Sequence, residues 1–148
     1  MLLGGVTSAR GQSQSPRLDP AKLKDAPATA DLQRSGPKQG ISPKALAYPC
    51  YGQTDRPHLS THVAGTANVV ARTVCYGTGV YVYTELYRDR WYGQQFLDSG
   101  SRSGTDSVST NASWYCRGAG TYTYRAYSYH SATGAGTANT TNSNRFAC

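Results

Sequence analysis

Residues 80–88, VYVYTELYR, give the clearest structural signal in the chain. Residue character alternates with a period of two, which is the period of a β-strand whose two faces meet different surroundings. One face would carry Val80, Val82, Thr84 and Leu86, and the other would carry Tyr81, Tyr83, Glu85 and Tyr87. We therefore predict a strand whose aliphatic face packs in the core and whose tyrosine face looks outward.

Similar short runs flank this stretch and are separated by segments rich in Gly, Ser, Asn and Asp. The run at residues 121–130, TYTYRAYSYH, would place Tyr122, Tyr124 and Ala126 on its core face. Further strands are predicted at 65–75, 91–97 and 108–116 and at the C-terminus, with a turn at 88–90 and polar loops at 98–107 and 131–141. Short strands with frequent turns predict an all-β fold, a small antiparallel β-sandwich or barrel.

Composition changes near residue 47. All sixteen aromatic residues of the 148-residue chain lie at Tyr48 or later, and all four lysines lie at Lys44 or earlier. A segment without aromatics buries too little apolar surface to offset its ordering entropy. We therefore predict a disordered basic leader or pro-segment over residues 1–47, whose start resembles the end of a signal peptide, and a β-domain over residues 48–148.

The chain contains four cysteines and no C-x-x-C pair. An even cysteine number in a small domain rich in Gly, Ser and Thr is typical of a disulfide framework, and so of a secreted, extracellular protein. Three pairings are possible, and we favour Cys50–Cys75 with Cys116–Cys148 because each would tie neighbouring strands. No run of 18 apolar residues is present, so no transmembrane segment is predicted.

The tyrosines outnumber what one core face needs. An outward face of tyrosine and arginine is typical of recognition surfaces, although cross-strand aromatic pairs also stabilise sheets without any ligand. The predicted binding face is Tyr81, Tyr83, Tyr87, Arg88, Trp91, Arg125, Tyr127 and Tyr129. Its partners would be a glycan, a cell-envelope polymer or another extracellular protein. Nucleic acid is not favoured, because no nucleic-acid motif occurs and the cysteines indicate an extracellular setting, although the net charge is +7.

Catalytic and metal signals are weak, and we predict no catalytic residue, no metal and no cofactor. His58 and His62 are four residues apart but lack the glutamate of H-E-x-x-H, and no G-x-S-x-G motif occurs. Glu85, the single glutamate, is predicted to be a surface acid paired with Arg88 or Arg90. The function predicted is a non-enzymatic binding or surface-interaction module. The alternatives are a secreted antagonist, toxin or protease inhibitor, with a removable leader, and a small hydrolase using His58, His62 or His130.

Three blocks carry a resemblance: HLSTHVAGTANVVARTVC (58–75), ELYRDRWYG (85–93) and NASWYCRGAGTYTYRAYSYH (111–130). The chain from about residue 50 to residue 148 resembles uncharacterised small secreted β-rich proteins of actinobacteria and related Gram-positive bacteria. The resemblance implies secretion and a β-rich fold with bounding cysteines. It transfers no catalytic residue.

Overall fold

The computed structural model describes residues 18–33 and 50–148. Within these ranges the chain forms one short helix and seven strands. They are α1 (Pro20–Leu23), β1 (Thr29–Asp31), β2 (Tyr51–Thr54), β3 (His58–Leu59), β4 (Thr66–Arg90), β5 (Gly93–Tyr115), β6 (Thr121–Ala132) and β7 (Gly136–Ala147). The predicted all-β class is confirmed.

The β4–β5 hairpin dominates the architecture, with strands of 25 and 23 residues. Their antiparallel register runs from Thr66↔Tyr115 to Arg90↔Gly93, with irregularities between Cys75 and Gly79 and between Leu86 and Tyr87. The predicted loop at 98–107 was wrong, because these residues belong to β5. Backbone hydrogen bonds to β4 hold this part of β5 extended, so its serines need no apolar partner and resemble a loop in composition.

The other loop predictions also shift. The turn expected at 88–90 lies at Trp91 and Tyr92, and the segment predicted as a loop at 131–141 is mostly strand β7. Gly and Asn are poor strand signals, yet β7 pairs with β6 from Thr121↔Ala147 to Ala132↔Gly136. Sheet pairing overrides local propensity here.

We call the irregularity of β4 between Cys75 and Gly79 the bend, and it lets the sheet curl. β2 pairs with the first half of β4 and β6 with its second half, on the edge that β5 leaves open, which gives the order β1-β2-β4-β6-β7. A bridge between Gln33 and Thr137 then joins the two ends of this order. The antiparallel sheet is thus nearly closed into a barrel.

Residues 18–33 correct part of the predicted domain boundary. They lie within the expected leader, but they form α1 and β1 and place Leu32 in the core. Backbone bonds from Thr54 N to Ala28 O and from Thr141 N to Pro27 O, both 2.9 Å, fix this segment between β2 and β7. The segment completes the barrel wall, which its own composition does not reveal. Residues 1–17 and 34–47 of the predicted leader, with residues 48 and 49 of the predicted β-domain, lie outside the described residues.

Both favoured disulfides are confirmed, Cys50–Cys75 and Cys116–Cys148. The first ties the entry to β2 onto β4, and the second ties the end of β5 to the C-terminus. Loops of 25 and 32 residues each constrain the unfolded chain by roughly 3–4 kcal/mol in the chain-entropy description. Among the described residues, no helix has the length and apolarity needed to cross a membrane.

The interior contains two apolar clusters. One gathers Val80, Val82 and Val108 near the bend, and the other gathers Val69, Leu86 and Tyr124 toward the hairpin end. The predicted core faces of residues 80–88 and 121–130 are therefore confirmed. On β4 and β6 the boundary between the clusters is polar, formed by Thr84, Ser128 and His130.

Candidate functional site

The outer face of the β4–β6 ladder holds most of the predicted binding residues, and its centre is closed to solvent. Tyr83, Tyr87 and Tyr127 are only 6%, 4% and 1% exposed. The prediction that these three tyrosines face solvent was wrong. They form a second buried layer on the side of the sheet opposite the barrel interior.

Glu85 explains this burial. It is fully buried and accepts the hydroxyl of Tyr83 at 2.6 Å and the hydroxyl of Tyr87 at 3.0 Å. The backbone N–H of Leu18 also donates to it at 3.4 Å, so the segment before α1 lies over this face. The predicted surface pairing of Glu85 with Arg88 or Arg90 is replaced by these donors. A buried carboxylate needs donors, and alternate tyrosines on the same strand supply them.

The hydroxyls of Tyr87 and Tyr127 stay protonated. Burial, followed by the negative charge of Glu85, raises the pKa of Tyr87 above its usual range. Burial also raises the pKa of Tyr127, whose hydroxyl donates to Gln94 at 3.0 Å. Edge-to-face contacts of Tyr87 with Phe96 and Tyr127, at 5.6 and 5.5 Å, complete the packing. The cluster is built for stability rather than for ligand access.

Three other predicted residues are partly exposed but have partners. Tyr81 and Tyr129 form an edge-to-face pair at 6.3 Å. Arg125 forms an ion pair with Asp89 at 2.9 Å, and the Asp89 hydrogen bond raises the pKa of Arg125. These groups offer less free surface than the sequence indicated.

Arg88 lies on the opposite side of the sheet from Tyr87. It follows Thr84 and Leu86 on the inward positions of β4 and is buried at the hairpin end of the barrel. Its guanidinium stacks between Trp114, at 4.6 Å, and Tyr122, at 4.4 Å, and its Nη2 donates to Gln95 at 2.7 Å. The prediction of Arg88 as a surface residue was wrong, because strand alternation turns it inward.

Trp91 stands apart from the other seven predicted residues. It occupies the turn between β4 and β5 and is 89% exposed. Tyr92 beside it is 56% exposed, and the two rings stand almost perpendicular, with centroids 5.3 Å apart. The Arg90 guanidinium lies 5.5 Å from the Tyr92 ring and 5.7 Å from Tyr122. We call Arg90, Trp91 and Tyr92 the hairpin tip.

The hairpin tip is anchored from below. Arg90 Nη1 donates to Gln95 Oε1 at 3.2 Å, the same oxygen that accepts from Arg88. The stack of Trp114, Arg88 and Tyr122 therefore supports the turn through Gln95. Sequence reasoning missed Tyr92, although the dipeptide Trp91–Tyr92 before Gly93 is a recognisable aromatic turn once the hairpin register is known.

The three histidines do not form one site. His130 is fully buried, with Nδ1 2.8 Å from Thr73 Oγ1 and Nε2 2.7 Å from Thr140 Oγ1. Since the Thr73 hydroxyl also donates to the Tyr81 carbonyl at 2.9 Å, it accepts from Nδ1–H, and Nε2 accepts from Thr140. Burial lowers the pKa of His130 to about 4, so the ring is neutral at pH 7. Both ring nitrogens are thus used in hydrogen bonds inside the core.

The remaining histidines lie on the surface. His58 lies in β3, with its Nδ1 3.2 Å from the carbonyl oxygen of Arg56. His62 is exposed in the following loop. Within residues 18–33 and 50–148, no three metal-ligating side chains cluster.

Comparison with known proteins gives no functional information. No protein-family model matches the chain. Neither the curated proteins nor the solved structures contain a significant match. The resemblance to secreted actinobacterial proteins stays a prediction.

Proposed function

We propose that this protein is a secreted, non-enzymatic binding module that contacts its ligand through the hairpin tip. The observation that carries the proposal is the exposure of Trp91, whose ring is held at right angles to Tyr92 instead of being packed on the barrel. Tryptophan, tyrosine and arginine are the residues enriched at binding hot spots, and the hairpin tip places one of each at consecutive positions.

The proposed ligand is a glycan or cell-envelope polymer. A flat indole face stacks on the apolar face of a sugar ring, and the perpendicular Tyr92 ring would border it on one side. Arg90 would add a hydrogen-bond donor at the edge. The hairpin tip needs little reorganisation on binding, since Gln95 and the Arg88 stack already hold it. Such preorganisation reduces the entropy lost on association.

Export of the chain is part of the same proposal. Two disulfides close within a domain of about one hundred residues, and disulfides persist in oxidising compartments outside the cytosol. A stapled barrel with a rigid aromatic turn suits a module that must persist outside the cell.

The test is retention of the oxidised full chain on insoluble cell wall, chitin and cellulose across a salt series. Retention that survives roughly 0.5 M salt indicates stacking, because exposed charges are well screened there. Trp91→Ala should reduce retention about tenfold or more, as expected for a hot-spot aromatic.

Tyr76→Ala is the matched control, because Tyr76 is an exposed aromatic in the bend of β4 and not at the hairpin tip. Its retention should equal that of the unmodified protein. Equal retention of Trp91→Ala and Tyr76→Ala, or no retention on any polymer, would overturn the proposal.

A further inference from the structure

A second surface feature lies away from the hairpin tip. The register irregularity divides β5 into two arms, residues 93–105 and residues 106–115. An open groove of about 470 Å³ lies between them, with Ser101 and Arg102 on one side and Asn111 on the other. Asn68 and the loop residue His62 also line the groove. None of the described residues that line the groove is aromatic, so the groove differs in kind from the hairpin tip.

The groove exists because β5 does not pair with itself. Among the described residues β4 is the one strand that pairs with β5, and the bend brings the two arms of β5 face to face. Asp98 on one arm accepts the backbone N–H of Ser113 on the other at 2.9 Å. A Cβ on Gly100 would lie 2.2 Å from the Asn111 carbonyl oxygen, so the arms touch at this point. These contacts between the two arms of β5 hold the groove in place.

The polar groups of the groove are only partly used. Asn111 Nδ2 donates to Asn68 Oδ1 at 3.1 Å. This pairing leaves the side-chain Oδ1 of Asn111 as an acceptor and the side-chain amide Nδ2 of Asn68 as a donor. A donor and an acceptor on neighbouring side chains can hydrogen-bond the hydroxyl groups of a sugar or polyol.

The charge of the groove is one-sided. Arg102 forms no ion pair or side-chain hydrogen bond within the part of the chain that the structure describes, whereas Arg72 and Arg125 each pair with an aspartate. The groove lining contributed by residues 18–33 and 50–148 includes no Asp or Glu. An unpaired guanidinium beside hydroxyl and amide groups favours an anion, which it can bind through two parallel hydrogen bonds.

We propose that this groove binds a hydroxyl-rich ligand that carries one anionic group, a sugar acid or a sugar phosphate. Arg102 binds the carboxylate or phosphate, and the Asn68–Asn111 pair binds neighbouring hydroxyl groups. This site is independent of the hairpin tip, since it uses neither Trp91 nor Tyr92.

The test is titration of the full-length, oxidised, isotope-labelled protein with three probes, followed by backbone amide chemical shifts. The probes are glucuronate, glucose 6-phosphate and uncharged glucose. The expected result is saturable shift changes at Ser101, Arg102 and Asn111 with one or both anions, and at least about tenfold weaker binding of glucose. Which anion binds more tightly identifies the carboxylate or the phosphate as the recognised group.

Arg102→Gln should weaken binding of the anionic probe about tenfold. Arg145→Gln is the control, because it removes the same charge from an exposed position on β7. Trp91→Ala should leave this binding unchanged, so that failure of the groove and failure of the hairpin tip are separate results. Equal affinity for glucose and both anions, equal effects of the two arginine substitutions, shift changes confined to other regions, or no saturable binding would each overturn the proposal.

Discussion

The two faces of the β4–β6 ladder bury polar groups in different ways. On the inner face Thr84, Ser128 and His130 belong to a chain of neutral groups, in which Ser128 donates to Thr84 at 2.8 Å and Thr54 donates to Ser128 at 2.7 Å. On the outer face Glu85, a neighbour of Thr84 in sequence, is a carboxylate that accepts from tyrosines. One strand thus carries a neutral polar layer and an acidic one, separated only by the thickness of the sheet.

The difference shows what each layer depends on. Hydroxyls and imidazole both donate and accept, so the inner layer needs correct spacing and little else. A carboxylate only accepts, so the outer layer needs donors that stay protonated. The inner layer should therefore be sensitive to lost space, and the outer layer to lost hydrogen bonds.

The largest effect is expected from Gly52→Ala. A Cβ there would lie 2.1–2.5 Å from three ring atoms of His130, whose ring is fixed through both nitrogens. Overpacking of this kind should lower the free energy of unfolding by roughly 3 kcal/mol or more. Denaturant unfolding measures it, with Gly79→Ala as control, because the nearest atom there, Thr133 Oγ1, lies at 3.6 Å. A Gly52→Ala protein as stable as Gly79→Ala would contradict the packing described.

Acid should break the inner layer next. Burial places the pKa of His130 at about 4, below the value of about 6.5 in an unfolded chain. The unfolded state therefore binds more protons between these values, and stability falls as pH decreases. The contribution is complete above pH 6.5 and is lost as pH falls to about 4, a change of at most about 3 kcal/mol.

Urea unfolding at pH 7 and at pH 4.5 tests this dependence. His130→Gln removes the titrating group, so its stability should change less between the two pH values than that of the unmodified protein. A pH dependence identical in both proteins would show that His130 does not cause it.

Removal of the outer acceptor should have a somewhat smaller effect. Glu85→Ala leaves the buried Tyr83 and Tyr87 hydroxyls without this acceptor, which should cost about 2–3 kcal/mol of unfolding free energy. Asp89→Ala removes a carboxylate from the same strand whose ion pair with Arg125 is partly exposed, and should cost less than about 1 kcal/mol. Equal losses in the two variants would mean that burial of Glu85 contributes nothing.

The smallest effects come from single hydroxyls and compare the two faces directly. Tyr87→Phe on the outer face removes a donor to Glu85 and should cost about 1 kcal/mol. Tyr124→Phe on the inner face removes a buried hydroxyl that lies near the Arg88 guanidinium but meets the geometry of no hydrogen bond among the described residues, so stability should stay within about 0.5 kcal/mol. Thermal unfolding of both variants measures the difference, and a larger loss for Tyr124→Phe would reverse the comparison.

Strand alternation carried most of the correct predictions. The inward positions of residues 80–88 and the core face of Tyr122, Tyr124 and Ala126 followed from period-two patterning, and the disulfide pairing followed from strand neighbourhood. The candidate site was predicted less well. Of the eight predicted residues, only Trp91 combines full exposure with freedom from a packing role, because exposure depends on what covers a face as well as on which way a side chain points.

The sequence by itself determined the β class, the alternating faces and the cysteine framework, because each depends on local period or on residue chemistry. Only the tertiary structure decided that 98–107 continues a strand, that residues 18–33 complete the barrel, and that a glutamate lies buried among tyrosines. Those features depend on hydrogen bonds and contacts between segments far apart in the chain. Local composition does not encode such contacts. Trp91 stands out as a binding candidate only because the other predicted residues are buried or have partners.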